Sequence, residues 1–186
     1  CTAEYEALVP YSDSDEMPDV IFRDGDYILQ EGKDYTAVTN GFVPDDGRRE
    51  YLYRGCGEYY DDVIIPVVTY RETLESTEKF IDAREKMSYS FEHSKLGFPL
   101  PGSKICLRYT AASDGNYRLH MYGNQDSFEY NTVFLYDSEG KFIGSGDAAE
   151  NFSPGKNQTV YIVVISPYFN DTVLQEKADE VSVCIE

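Results

Sequence analysis

Short runs of alternating apolar and polar residues, each closed by a turn rich in Gly, Asn or Asp, occupy most of the chain. A period of two places every second side chain on one face of a β-strand. In the first part the runs fall at 20–22, 27–30, 35–39, 49–54 and 63–70. Asp24-Gly25, Glu31-Gly32, Asn40-Gly41, Asp45-Asp46-Gly47 and Gly55-Cys56-Gly57 separate them. Gly, Asn and Asp tolerate the positive φ of tight turns, so these are turns with a mechanism. The residues before Pro18, including Ser12-Asp13-Ser14-Asp15-Glu16, read as a solvated lead-in strand or tail. From Glu72 to Lys86 the texture changes to helix formers without Gly or Pro. Leu74, Phe80, Ile81, Ala83 and Met87 give a partial helical stripe there, which predicts a short helical or extended connector over 72–87. β-texture then returns at 88–92, 104–110, 117–122, 132–137, 142–144, 159–166 and 180–185. Seven strands at this spacing predict an antiparallel sandwich. The predicted fold is all-β: two tandem antiparallel β-sandwich modules, 1–71 and 88–186, on either side of the connector.

Composition sharpens this picture. With 17 Tyr, 10 Phe and no Trp, the aromatic supply favours pleated, half-buried surfaces. A formal net charge of −18 excludes the clustered Lys and Arg that phosphate binding needs, so no nucleic-acid partner is expected. It also disfavours an anionic membrane surface. No apolar run approaches the ~20 residues that span a bilayer, so membrane insertion is not expected. Cys1 reads either as the acylated first residue of a lipoprotein or as an arbitrary boundary.

Two stretches carry family resemblances. Gly32-Lys33-Asp34-Tyr35-Thr36, followed by Gly55-Cys56-Gly57-Glu58-Tyr59 and a closing strand to Tyr70, resembles the bacterial Ig-like repeats of Gram-positive surface proteins over about 20–70. Cys56 departs from that pattern, which carries a polar residue between the glycines. The second stretch holds Tyr109-Thr110-Ala111, Gly115-Asn116-Tyr117, Leu135-Tyr136-Asp137, Gly140, Ile143, Asp147 and Val160-Tyr161-Ile162-Val163-Val164. It resembles the bacterial pre-peptidase C-terminal domain over about 88–186. These resemblances imply an Ig-like module and a jelly-roll-like module, extracellular, secreted or attached to the cell surface. The function they imply is non-catalytic binding or adhesion, with a polysaccharide, host glycan or protein as partner. The alternative is a structural spacer or protein-binding accessory domain of a secreted hydrolase. The acidic calcium-binding linker of the collagen binders in the second family is not recognisable, so neither collagen nor calcium carries over.

Four cysteines in an extracellular chain suggest bridges, with three pairings open. Cys106 with Cys184 is favoured. Ile105, Leu107 and Tyr109 share one face and leave Cys106 on the other, while Val181, Val183 and Ile185 leave Cys184 outward. Cys1 with Cys56 is then the remaining pair. Four reduced thiols are the alternative, and no spacing suits a structural metal.

No G-x-S-x-G, H-E-x-x-H or Gly-rich phosphate loop is present, so no enzyme is predicted. His93 and His120 are the only near-neutral bases, and His120 reads as part of a surface ladder with Arg118 and Tyr122. Ligand contact is sought among aromatics, which stack on sugar rings. In the hairpin at 51–60, the Ig-like resemblance implies that Tyr51 and Tyr53 point to the core, leaving Tyr60 and Arg54 as candidates. In the second module the candidates are Tyr122, Phe128, Tyr130, Tyr168 and Phe169, in or beside loops. No cofactor is expected. Calcium stays open through Asp13, Asp15 and Glu16, Asp45 and Asp46, or Asp61 and Asp62, although no EF-hand loop appears.

Overall fold

A computed structural model describes residues 1–11, 17–38, 47–75, 78–92, 95, 103–122, 131–147, 149–166 and 181–186. All regular elements among them are strands. The chain divides into two compact units, Cys1–Tyr70 and Arg71–Glu186.

The first unit packs two sheets face to face. One comprises β1 (Thr2–Tyr5), β3 (Val20–Asp24) and β4 (Tyr27–Ile28), in the order β1-β3-β4. The other comprises β2 (Leu8–Pro10), β5 (Tyr35–Val38), β6 (Gly47–Gly55) and β7 (Asp62–Tyr70), in the order β2-β7-β6-β5. Within the region read as a solvated lead-in strand or tail, the described residues form two strands packed into the sandwich. Thr2–Tyr5 lies antiparallel to β3 with Tyr5 opposite Val20, and Leu8–Pro10 lies parallel to β7 with Leu8 opposite Val68. Ala3, Tyr5 and Val9 supply the reason, since they pack on a core of Phe22, Leu29, Tyr53, Ile65 and Val67. An alternation of only three or four residues is too short to separate from a tail in the sequence. Strand alternation in β6 buries Tyr53 and half-buries Tyr51, while Arg54 faces solvent.

The second unit is a larger sandwich. One sheet has the order β13-β12-β15-β10-β8, from β8 (Ile81–Ala83), β10 (Lys104–Thr110), β12 (Thr132–Tyr136), β13 (Phe142–Asp147) and β15 (Thr159–Ile165). The facing sheet has the order β14-β11-β16-β9, from β9 (Ser88–Ser90), β11 (Tyr117–Tyr122), β14 (Ala149–Phe152) and β16 (Ser182–Ile185). Between them lie Leu107, Leu119, Val133, Ile162, Val164, Val183 and Ile185, all buried.

The helix-forming segment after Glu72 makes no helix among the described residues. Its apolar side chains have a better use on the five-stranded sheet. Leu74 N–H donates to the Gly140 carbonyl at 2.8 Å, and Phe142 N–H donates to the Glu72 carbonyl at 2.9 Å. The Phe80 ring sits 4.8 Å from that of Tyr161. Ile81–Ala83 then pairs with β10 as a parallel edge strand, Ile81 opposite Leu107. Tertiary contact overrides helix propensity here, because propensity differences amount to only tenths of a kcal/mol per residue. One consequence is a sheet buried on both faces. Cys106, Val163 and Phe134 are cross-strand neighbours on the face away from the main core, and all three are buried.

The predicted disulfides do not form: all four cysteines are free. Cys106 belongs to β10 and Cys184 to β16, which lie in opposite sheets. Each points away from the shared core. Packed sheets are about 10 Å apart, beyond the ~7 Å limit on Cα separation for a bridge. Neighbourhood of the first and last long strands was the false step, since β10 pairs with β15 and β8 instead. Cys106 is also buried rather than exposed, with its thiol donating to Glu78 Oε2 at 3.4 Å. Burial pushes the Cys184 thiol above its ordinary pKa. Cys1 and Cys56 are likewise unbridged.

Candidate functional site

The first unit holds a solvent-open cavity of about 420 Å³, inside the range of about 300–1,000 Å³ in which small ligands are bound. Its floor is Phe22, Leu29, Tyr35 and Tyr53. Its rim is Cys1, Asp34, Gly55, Glu58, Tyr59, Tyr60, Asp61 and Val63. Phe22, Tyr35 and Tyr53 meet edge to face, with centroids 4.9, 5.1 and 5.9 Å apart. This is the geometry that the ring quadrupole favours. Two of the phenols are already committed: Tyr53 on the floor donates to the Pro18 carbonyl at 3.1 Å, and Tyr59 on the rim donates to Asp24 Oδ2 at 3.1 Å. Burial pushes the Tyr53 hydroxyl up to about 12.

The Gly55-Cys56-Gly57-Glu58-Tyr59 run builds the rim. Gly55 N–H donates to the Asp61 carbonyl at 3.2 Å, and Tyr59 N–H donates to the Cys56 carbonyl at 3.1 Å. A Cβ on Gly55 would lie 2.1 Å from the Tyr59 carbonyl oxygen, so no other residue fits without displacing backbone. Gly57 has φ +67, a conformation that L side chains rarely adopt. The turn delivers Tyr60 to the rim with 83% of its surface exposed. Its hydroxyl has no protein partner among the described residues.

Asp34 enters from the other side, at the start of β5. Its Oδ2 accepts bonds from Tyr27 OH and Gln30 N–H, both at 2.9 Å. Lys33 Nζ lies 3.9 Å from Oδ1. The Gln30 N–H bond, with help from Tyr27 and Lys33, holds the carboxyl below the usual carboxylate range. Sequence reasoning passed over Asp34 as a site residue. The Lys-Asp-Tyr run was visible, but only the fold brings it against the β6–β7 connection, where Cys56 N–H donates to the Asp34 carbonyl at 2.8 Å.

Of the sequence candidates, Tyr60 lines the cavity and Arg54 does not. Arg54 pairs instead with Asp62 at 3.2 Å, on the strand beside it. Tyr122 is exposed in the second unit, yet its hydroxyl donates to Glu186 Oε1 at 2.7 Å. His120 stacks beside it at 6.2 Å and meets Glu186 Oε2 at 3.4 Å. Phe128, Tyr130, Tyr168 and Phe169 lie outside the described residues, as do His93, Asp13, Asp15, Glu16, Asp45 and Asp46. Among the described residues no cluster of three or more His, Cys, Asp or Glu suits a metal ion. Asp61 lines the cavity and Asp62 is taken by Arg54.

No protein-family model and no curated protein matches the chain. Among solved structures, it is similar to the pre-peptidase C-terminal domain of a collagenase from Bacillus anthracis. That match has 14% identity and a TM-score of 0.37, covering 57% of this chain and 92% of the other. It is also similar to PliG of Aeromonas hydrophila, a periplasmic inhibitor of g-type lysozyme. There the identity is 10% and the TM-score 0.31, covering 57% of this chain and 96% of the other.

Proposed function

We propose that this chain is a non-catalytic binding module of a bacterial surface or secreted protein, working outside the cell. In this reading its first unit holds a polysaccharide or glycan at the cavity rim. The observation that carries the reading is Tyr60, an aromatic ring left almost wholly exposed beside an open cavity. Exposed Tyr beside carboxylates matches the needs of a sugar: a flat apolar face for the pyranose ring, with oxygen acceptors for its hydroxyls. The resemblances of residues 20–70 to Ig-like repeats and of 88–186 to pre-peptidase C-terminal domains belong to this reading. The Gly55 constraint supports the first of them, because it gives the G-x-G-x-Y run a structural cause.

Retention of the full chain on insoluble polysaccharides tests the proposal. Binding to at least one is expected, and Tyr60→Ala should weaken it by at least about tenfold, as for a central aromatic anchor. Retention on none overturns the glycan reading.

A further inference from the structure

We infer that Arg71–Ala83 is a detachable strap, which yields under tension and lengthens the link to the first unit while the second sandwich stays folded. The inference takes from the reading above only that the chain works on a bacterial surface, where anchoring and binding pull against each other. It does not depend on what the cavity holds. The strap follows directly on Tyr70, where β7 ends, so a pull transmitted along the chain enters the second unit through it. From there it crosses the five-stranded sheet from edge to edge, on the face away from the main core. Thr73 bridges Lys141 beside the start of β13, and Phe80 lies on Tyr161 of β15. Glu78 reaches Lys104 and Cys106 of β10, and Ile81–Ala83 adds β8 beyond them. Attachments strung along the chain in this way are loaded one after another.

Each attachment is weak beside the sandwich it covers. β8 pairs with β10 over three residues, against seven for β15 on the other side, and it does so in the parallel sense, slightly the less stable per residue. Ile81 keeps 50% of its surface exposed. The Asp82–Arg108 pair is open to solvent, where ion pairs hold little. Leu74 and Phe80 are only half-buried, whereas Leu107, Leu119, Ile162 and Ile185 are fully out of solvent between the sheets. Openings short of global unfolding are drawn from such sparsely buried segments. A stop follows at once. Glu85 bridges Ile185 of the facing sheet, and its Oε1 accepts the Tyr109 hydroxyl at 2.8 Å. Lys86 N–H donates to the Ile185 carbonyl at 2.8 Å. Peeling therefore ends at Ala83 and the step has a defined length. The 13 residues of the strap drawn straight reach about 45 Å. About 20 Å of that already spans the sheet, so about 25 Å is released.

Two buried thiols in opposite sheets report the opening. Cys106 is bonded by the strap through Glu78, and Cys184 lies in β16 of the facing sheet. The native full chain is alkylated with iodoacetamide and each cysteine is read separately by mass spectrometry. Cys106 should react at least about tenfold faster than Cys184, because local opening requires less free energy than global unfolding. Phe80→Ala should raise the Cys106 rate at least about tenfold further and leave Cys184 unchanged. Asp82→Asn should change it by no more than about fivefold, as for an exposed ion pair. Pulling the full chain by its ends in an optical trap should give a first extension of about 25 Å, below the force that unfolds either unit. Phe80→Ala should move that step to lower force. Equal rates at the two cysteines overturn the inference, and so does a Cys106 rate indifferent to Phe80→Ala. A first extension as long as a whole unit also overturns it. Neither measurement uses a ligand, so their failure and a failure of polysaccharide retention are separate results.

Discussion

In Arg71–Glu186 the space between the sheets is filled mainly by Leu, Ile and Val, with Leu107, Leu119, Ile162 and Ile185 fully out of solvent. In Cys1–Tyr70 the corresponding space holds Leu29, Ile65 and Val67 together with Phe22, Tyr35 and Tyr53 in mutual edge-to-face contact. Aliphatic side chains interdigitate to crystal-like density and leave little void. Phenols cannot close a core in the same way, because each carries a hydroxyl that needs a partner. Tyr53 finds one in the Pro18 carbonyl and Tyr59 in Asp24. The smaller unit therefore remains open beside its rings, and the cavity lies there. Tyr109 and Tyr117 face the same demand in the larger unit. They meet it with Glu85 and with the Ser113 carbonyl at the core margin, so the aliphatic centre stays closed.

The comparison breaks most easily at the five-stranded sheet. Phe134 is fully buried on the face away from the main core, 6.2 Å from Phe142. Phe134→Ala should cost about 3–5 kcal/mol in chemical denaturation, as for a core phenylalanine. A cost below about 1 kcal/mol would mean that this face is solvent-facing and that the larger unit is an ordinary one-sided sandwich. The next effect belongs to the cavity rim. Gly55→Ala forces a backbone shift and should destabilise by about 1–3 kcal/mol, with loss of ligand binding. Gly57→Ala has open space around it and meets only the left-handed backbone cost of about 1 kcal/mol.

Alkali should distinguish the phenolic core. Burial holds the Tyr53 hydroxyl at about 12, against an ordinary value of 10.0. Above pH 10.0 the unfolded chain loses this proton while the folded chain keeps it. The stability is fully present below pH 10.0 and is lost as pH rises towards about 12. Denaturation midpoints should fall over that window, and less steeply in Tyr53→Phe. Tyr109 is raised too, first by burial and then by Glu85, so a residual slope in Tyr53→Phe belongs to the second unit. The smallest effect is acidic. Asp34 lies below its ordinary value of 3.8, so its contribution is present above pH 3.8 and disappears as pH falls through the folded value. Asp34→Asn should flatten the acid limb of the stability profile. An unchanged limb would assign it to other depressed carboxylates, such as Asp82 beside Arg108.

The sequence by itself determined the all-β class and the place of most strands, because alternation and turn residues are local signals. The expected boundaries at 104–110 and 117–122 coincide with β10 and β11. The Ig-like resemblance implied an inward Tyr53 and left Tyr60 outward, and the structure buries the first and exposes the second. Only the tertiary structure decided which strands are neighbours. That fact removed the Cys106–Cys184 bridge, turned the helix-forming segment at 72–83 into a docked stretch and edge strand, and drew Thr2–Pro10 into the first sandwich. It also brought Asp34 and Tyr60, far apart in the chain, to one cavity. The physical reason is common to all of these: local patterning fixes the direction in which a side chain points, whereas its partner is set by long-range packing that no short window of residues encodes.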